Sequence, residues 1–305
     1  MTRHVVIAGA SGFLGRHLSK SLIDRGHAVT ALTRKQSSAP DESTWDPYEG
    51  KVDQGLIEEA DVVVNVAGSP TAGNPHSEKW ARELRESRVV TTQVLADAIA
   101  ATDSKPVFLA GNAIAFYGDH GSEVLTEDAD SRGDSLMTQV CREWQAAAEP
   151  AVDAGARVAI LRTAPVMDRT SPPLKQLRLL FKTGLGGRLG DGRQYFPVIS
   201  LRDWVAAVTW LAENDDLSGP VNLCCPTTPT NAEFTRALAR AVNRPALTFV
   251  PAPVLKVAAG RMAPEVLGSQ NLRPAALEAA GFSFRDRDVT SVLASALAKE
   301  PKARK

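Results

Sequence analysis

Apolar runs of strand length alternate with helical patterns through the first half of the chain. Residues 5–8 are all apolar, and the leucines that follow at positions 14, 18 and 22 have the i, i+4 spacing of an amphipathic helix. Further strands are predicted at 27–33, 62–66, 106–110 and 158–161, and further helices at 77–100 and 135–152. This alternation predicts an α/β fold of the Rossmann type, with a doubly wound parallel sheet between helices.

The pattern changes after residue 166. Ser200 with Asp203, and Thr230 with Glu233, have the spacing of a helix N-cap and its third helical residue, so each pair predicts the start of a helix. We therefore expect a sheet domain of residues 1–166, to which 200–224 returns. Residues 167–199 and 225–298 would form a smaller C-terminal substrate lobe and small C-terminal domain, and 299–305 a basic tail.

Three glycines, spaced by three, join the first strand to the first helix. The first permits a tight turn, the second lets the backbone approach a pyrophosphate, and the third lets the helix lie close to the strand. The free N–H groups of the helix start would then face the anion. A plain strand-to-helix turn is the alternative. The candidate phosphate-binding residues are Gly9, Ser11, Gly12, Phe13, Leu14 and Gly15.

The end of the second strand carries Thr33 and Arg34 where an NAD site would place an acidic residue for the adenosine ribose. A guanidinium there favours a 2′-phosphate, because its planar fork can bind phosphate with two hydrogen bonds. We therefore expect NADP(H), although Arg34 could also be a solvated loop residue. The third strand ends in the small residues Val66, Ala67 and Gly68, which allow a ligand close to the backbone.

Arginines elsewhere leave two interpretations open. Arg85 and Arg88 on the helix of 77–100 would reach the cofactor phosphates if they faced the cleft, and would be solvated otherwise. The glycine-rich loop 184–192 is a second anion site, through Arg188 and Arg193, or a flexible connection.

Composition excludes several classes of protein. The 305 residues include 35 basic and 35 acidic side chains, so no net field favours nucleic acid or an anionic membrane. No apolar run is long enough for a membrane span, and the start lacks the features of a signal peptide, so we expect a cytoplasmic protein. Cys141, Cys224 and Cys225 have neither disulfide-framework nor metal-ligand spacing, and no metal site is predicted.

Several motifs together resemble the extended short-chain dehydrogenase/reductase superfamily. They are GASGFLG, the pair at 33–34, NVAG at 65–68, FYGD at 116–119 and the GLGG and GDGRQYF run. Within it, the chain resembles the YfcH-like, SulA-related "epimerase family protein" group, including its small C-terminal domain of unknown function. The resemblance implies a nucleotide-sugar-epimerase-like fold and a bound NADP. It also assigns Arg88 to the cofactor phosphates, and Pro165 and Val166 to the nicotinamide.

The same resemblance implies that the usual Ser/Thr, Tyr and Lys triad is absent. Alignment places Ala113, Met137 and Cys141 at the three positions. A methyl group and a thioether cannot transfer protons, and a thiol cannot supply a fixed cation. Tyr117 and Cys141 are the weak candidates for replacing them, each with a packing role as the alternative.

Two functions follow. The first is an NADP-dependent oxidoreductase or epimerase that acts on a small polar substrate, either free or nucleotide-linked, held by residues 184–200. The second is a non-catalytic NADP(H)-binding sensor or regulator, which explains a retained cofactor site beside a lost proton relay. A homodimer is compatible with both.

Overall fold

The computed structural model of the protein describes residues 2–184, 186–246 and 248–298. In chain order the strands are β1 (His4–Ala8), β2 (Ala28–Thr33), β3 (Glu42–Thr44), β4 (Val62–Asn65), β5 (Val107–Ala113), β6 (Val124–Leu125), β7 (Val158–Thr163), β8 (Val166–Met167), β9 (Gly187–Leu189), β10 (Ile199–Ser200), β11 (Gly219–Leu223), β12 (Thr248–Val250) and β13 (Asn271–Leu272). The α-helices are α1 (Phe13–Asp24), α2 (Gln54–Glu58), α3 (Glu78–Ala100), α4 (Leu136–Ala146), α5 (Glu149–Asp153), α6 (Pro172–Lys182), α7 (Leu201–Glu213), α8 (Asn231–Ala241), α9 (Ala252–Ala259), α10 (Ala263–Leu267), α11 (Ala275–Ala279) and α12 (Val289–Leu297).

Seven of these strands form one parallel sheet in the order β11-β7-β5-β4-β1-β2-β3. Val6 of β1 lies opposite Thr30 of β2 on one side and opposite Val63 of β4 on the other. The chain therefore builds the sheet outward in both directions from β1, and the order switches between β1 and β4. This confirms the predicted doubly wound fold, and such a switch point is where open α/β sheets form a ligand crevice.

The side chains of β1 are buried on both faces of the sheet. Val5 and Ile7 pack with Leu18 and Leu22 of α1 in one apolar cluster, which also includes residues of α7. Val6 and Ala8 belong to a second cluster with residues of α3. Burial on both faces explains why the parallel strands are continuous apolar runs rather than alternating ones.

Short parallel pairs connect the second half of the chain to this sheet and to itself. β6 pairs with β13, β8 with β10 and β9 with β12. A third apolar cluster joins α6, α8 and α12 through Phe181, Phe234 and Leu293. The C-terminal residues are thus packed on the loops that follow β5 and β7, at the carboxyl edge of the main sheet.

Two predicted elements differ from the structure. The single helix predicted at 135–152 is two helices, α4 and α5, because Pro150 lacks the N–H that a continuous helix needs and instead occupies the first turn of α5. The predicted loop 184–192 contains the strand β9. The predicted tail 299–305 lies outside the described residues.

Both predicted N-caps are present, with one difference in detail. Thr230 and Glu233 form a reciprocal capping box. Ser200 accepts the N–H of Asp203, but the carboxylate of Asp203 accepts the backbone N–H groups of Arg285 and Asp286 instead of returning to Ser200. In the described ranges, no helix has both the length and the hydropathy to cross a bilayer.

Candidate functional site

The glycine turn after β1 lies against the end of β4. Gly9 has a φ of +86°, and a Cβ at this position would lie 2.7 Å from the N atom of Ala67. A Cβ on Gly15 would lie 2.1 Å from the carbonyl oxygen of Gly9. Neither position therefore accepts a side chain unless the backbone moves. Because both residues lack a Cβ, α1 and the end of β4 can both lie against this turn.

The amino terminus of α1 has no protein side chain to cap it. Its N-cap residue is Gly12, no side chain accepts a hydrogen bond from the first turn, and that turn contains no acidic residue. The first N–H groups of a helix have no acceptor within the helix. These groups and the helix dipole therefore suit an anionic ligand at the switch point of the sheet.

The side chain of Asn65 shapes the loop that faces this turn. Its Oδ1 accepts the N–H of Ala67 at 3.0 Å, and its Nδ2 donates to Thr92 Oγ1 at 2.8 Å. Val66, Ala67 and Gly68 are therefore held as a fixed backbone wall beside Gly9. Arg34, one residue beyond β2, is exposed at the neighbouring strand end.

The two arginines of α3 have different environments. Arg85 is exposed and forms an ion pair with Glu143. Arg88 is buried, with its guanidinium 5.3 Å from the ring centre of Trp144, and it donates to the carbonyl oxygens of Leu84 and Ser69. Burial lowers the pKa of Arg88. A Cβ on Gly68 would lie 3.4 Å from Cζ of Arg88, so the glycine leaves the space beside this guanidinium open.

The three residues aligned with the triad are brought together by the fold. Met137 and Cys141 lie one turn apart on α4 and are buried with Leu84 and Ala115, and Ala113 packs against them. Burial raises the pKa of Cys141 to about 12, and the nearby carboxylate of Glu265 acts in the same direction. This part of the site is therefore apolar and carries no thiolate at neutral pH.

Tyr117 is not placed to act on a ligand. Its side chain is completely buried, and its hydroxyl donates to Asn222 Oδ1 at 2.7 Å and accepts from Arg162 at 2.8 Å. Burial raises its pKa to about 12. Both weak catalytic candidates, Tyr117 and Cys141, are thus buried, and burial favours the neutral form of each.

Other residues of the region have structural contacts. Glu127 is buried and accepts the N–H groups of Asn222 and Ala276, which fastens the C-terminal segment to β11. Pro165 and Val166 lie just beyond β7, where Val166 pairs with Ile199. Arg188 is exposed on β9, above the ring of Phe249, so this segment is a paired strand rather than a loose connection.

Sequence reasoning missed the carboxyl of Glu265 on α10. It lies beside α4, and Ser135 donates a hydrogen bond to it at 2.9 Å. A lone acid in the otherwise apolar segment 262–267 was the available signal. In the described part of the chain, no group of three or more His, Cys, Asp or Glu side chains is placed to hold a metal ion.

Comparison with known proteins identifies the class. Residues 5–224 match the NAD dependent epimerase/dehydratase family, and residues 250–296 match a domain of unknown function, DUF1731. The chain therefore belongs to the NAD dependent epimerase/dehydratase family, in the extended short-chain dehydrogenase/reductase group that the sequence motifs indicate.

Individual proteins of this family resemble the chain over nearly its whole length. It is 39% identical to "Epimerase family protein Mb2239" of Mycobacterium bovis, over 95% of this chain and 96% of that protein. It is 30% identical to the human "Epimerase family protein SDR39U1", over 92% and 94% of the two chains. The crystal structure of that human protein with NADPH superposes with a TM-score of 0.85 at 28% identity, covering 96% of this chain and 98% of the other.

Proposed function

We propose that this protein binds NADP(H) across the turn between β1 and α1. The observation that carries the proposal is the switch point itself, where Gly9 lies against the end of β4 and the first turn of α1 has no protein cap. The human relative whose structure contains NADPH supports the choice of cofactor. The residues present fit a dinucleotide. Gly9 and Gly15 have no Cβ atoms, so α1 can begin directly beside the end of β4, and its first turn has no side-chain cap.

We assign the cofactor contacts to groups on five segments of the chain. The first turn of α1 would bind the pyrophosphate, Arg34 the 2′-phosphate, and the backbone at 66–68 the adjoining ribose. Arg88 would contribute a buried positive charge beside Gly68, and Pro165 and Val166 would lie near the nicotinamide. When bound, NADPH supplies a hydride, and the chain's own part is to orient it and to exclude water.

The reaction we propose is oxidation or reduction of a small polar substrate. Its support is the family itself and the cavity that lies beside α4, between the loop after β5 and the C-terminal segment. The apolar cluster of Ala113, Met137 and Cys141 favours the second candidate, a non-catalytic NADP(H) sensor, because these side chains cannot move a proton. Oxidation of bound NADPH by a carbonyl or nucleotide-sugar panel separates the two.

Calorimetric titration of NADPH and NADH against wild type, Arg34→Asp and Lys35→Asp tests the cofactor proposal. We expect Arg34→Asp to weaken NADPH binding by about 10²-fold, because a charge-assisted phosphate contact is replaced by repulsion. The affinity for NADH should be almost unchanged. Lys35→Asp makes the same charge change one residue further along the chain and should have the smaller effect. Equal affinities for the two nucleotides in all three proteins would refute the 2′-phosphate assignment.

The remaining proposals concern organisation and location. We retain the division into 1–166 with 200–224 and a C-terminal lobe of 167–199 and 225–298; the separate family match at 250–296 supports a distinct C-terminal part. The three cysteines of the chain are free thiols, as suits the reducing cytoplasm where we place the protein. Sedimentation of the purified protein tests whether it forms a homodimer.

A further inference from the structure

A cavity of about 1030 Å³ lies beside the amino-terminal end of α4. The loop after β5 contributes Gly118 and Asp119, the start of α4 contributes Ser135 and Thr138, and the C-terminal segment contributes Glu265. The cavity thus opens between the sheet domain and residues 252–270. The residues of α4 that line it, Ser135 and Thr138, carry hydroxyls and differ from the apolar cluster of Met137 and Cys141 on the same helix.

Hydrogen bonds fix the carboxyl of Glu265 at the wall of this cavity. Ser135 Oγ donates to Glu265 Oε1 at 2.9 Å. Because that bond uses the only hydroxyl hydrogen of Ser135, Thr138 Oγ1, also 2.9 Å from Ser135 Oγ, must be the donor in the second contact. The result is a directed chain from Thr138 through Ser135 to Glu265, with the carboxyl as its final acceptor.

The segment that carries Glu265 is held over α4 from both sides. Arg261 forms an ion pair with Glu78 at the start of α3, and Gly260 lies so close to His76 that a Cβ would be 2.7 Å from the imidazole. Met262 packs against the cluster that contains Cys141. Glu265, three residues beyond Met262, therefore lies on the side of α10 that faces α4, close to the positions aligned with the missing triad.

The other charged side chains of the cavity wall are engaged or exposed. Asp119 accepts the N–H groups of Gly121 and Ser269, and Asp134 pairs with Arg142. Arg132 is bound by Glu123 and Asp130. Asp191 and Lys256 are exposed on the far walls. Burial raises the pKa of Glu265 to about 6, against the opposing hydrogen bond from Ser135, so this carboxyl exchanges protons near neutral pH.

We propose that Glu265 is the proton donor and acceptor for the substrate oxygen, an inference that rests on the proposed NADP(H)-dependent reaction. When a carbonyl carbon accepts a hydride from bound NADPH, its C=O π bond breaks and its oxygen must gain a proton. The neutral Glu265 carboxyl supplies that proton and becomes a carboxylate. Water in the cavity returns the proton, and the oxidative direction reverses each transfer.

The test is a ¹³C NMR titration of protein labelled at the glutamate carboxyls, in complexes with NADP⁺ and with NADPH. Glu265→Gln identifies the resonance, which we expect to titrate near pH 6 in wild type. The nicotinamide ring is positive only in NADP⁺, so its complex should have a midpoint lower by about half a unit than the NADPH complex. Glu127, also buried but bound to backbone N–H groups, is the internal control and should show no such difference.

The outcomes separate the two proposals. Failure of both nucleotides to bind refutes the proposed function and this inference with it. Binding of both with the same midpoint for Glu265 overturns the inference alone. If a carbonyl probe is turned over, Glu265→Gln should lower kcat by about 10²-fold while its NADPH affinity and melting temperature stay near wild type. Full turnover by Glu265→Gln would also overturn it.

Discussion

The crevice between β1 and β4 and the apolar side of α4 are built in different ways. The crevice is made of backbone, and Gly9 and Gly15 are required because there is no room for a Cβ. The side of α4 is made of side chains, where Met137 and Cys141 pack as hydrophobes. A site formed by backbone allows few residue types at each position. On a helix face, a reactive side chain can be replaced by an apolar one while the packing of the helix is kept.

The largest effect should come from filling the crevice. Gly15→Ala places a Cβ 2.1 Å from the Gly9 carbonyl oxygen, so α1 must move. We expect a loss of about 3 kcal/mol in the free energy of unfolding, measured with urea, and no detectable NADPH binding. Gly26→Ala, at a position with open space and a φ of +88°, is the control and should cost about 1 kcal/mol with binding intact. Normal binding by Gly15→Ala would contradict the steric explanation.

A smaller effect should separate the two arginines of α3. Arg88→Gln removes a buried cation next to Gly68 and should weaken NADPH binding by about tenfold, measured by calorimetry. Arg85→Gln removes an exposed ion pair with Glu143 on the same helix and should change binding by about twofold or less. Equal losses for the two variants would show that the charge acts at long range rather than at the site.

Tyr117→Phe tests the buried hydroxyl without changing the shape of the core. Loss of its bonds to Asn222 and Arg162 should cost about 1–3 kcal/mol of stability and leave NADPH affinity unchanged. The raised pKa also gives a pH signature. Above about pH 10 the phenol ionises only in the unfolded state, so wild type should lose stability by up to about 1.4 kcal/mol per pH unit from this group, and the variant should lack that component.

That pH component is measured by urea unfolding of both proteins at several values between pH 9 and 11. Identical slopes would show that Tyr117 ionises in the folded protein as it does in water. If Tyr117→Phe had normal stability but impaired NADPH oxidation, Tyr117 would have a role in the reaction.

The smallest expected effect is an absence of reaction at the thiols. Cys141, Cys224 and Cys225 are all buried with raised pKa values. A disulfide reagent such as Ellman's should therefore label none of them within minutes in the native protein at pH 8, and all three in urea. Rapid labelling of one thiol in wild type that is missing in Cys141→Ser would make Cys141 accessible and reopen its chemical role.

The sheet was predictable because parallel strands buried on both faces leave uninterrupted apolar runs such as 5–8 and 62–64. The glycine turn was predictable for the same kind of reason, since backbone crowding allows only glycine there. The break between α4 and α5 was not, because Pro150 is compatible both with a kinked helix and with the first turn of a new one. Helical phase alone also could not decide between Arg85 and Arg88.

The side-chain part of the site depends on contacts between distant segments. Ser135 and Glu265 are 130 residues apart in the chain, and their hydrogen bond exists only because α10 is docked on α4. The weak candidates Tyr117 and Cys141 had suitable chemistry and suitable positions along the chain. Their burial follows from packing that no local pattern encodes.

A crystal structure of the NADPH complex tests the central claim most directly. We predict the pyrophosphate against the first turn of α1 at Gly12, the 2′-phosphate on Arg34, and the nicotinamide between Val166 and the end of β5. A nucleotide seated elsewhere on the molecule, or a crystal soaked with NADPH that shows an empty β1–β4 crevice, would contradict it.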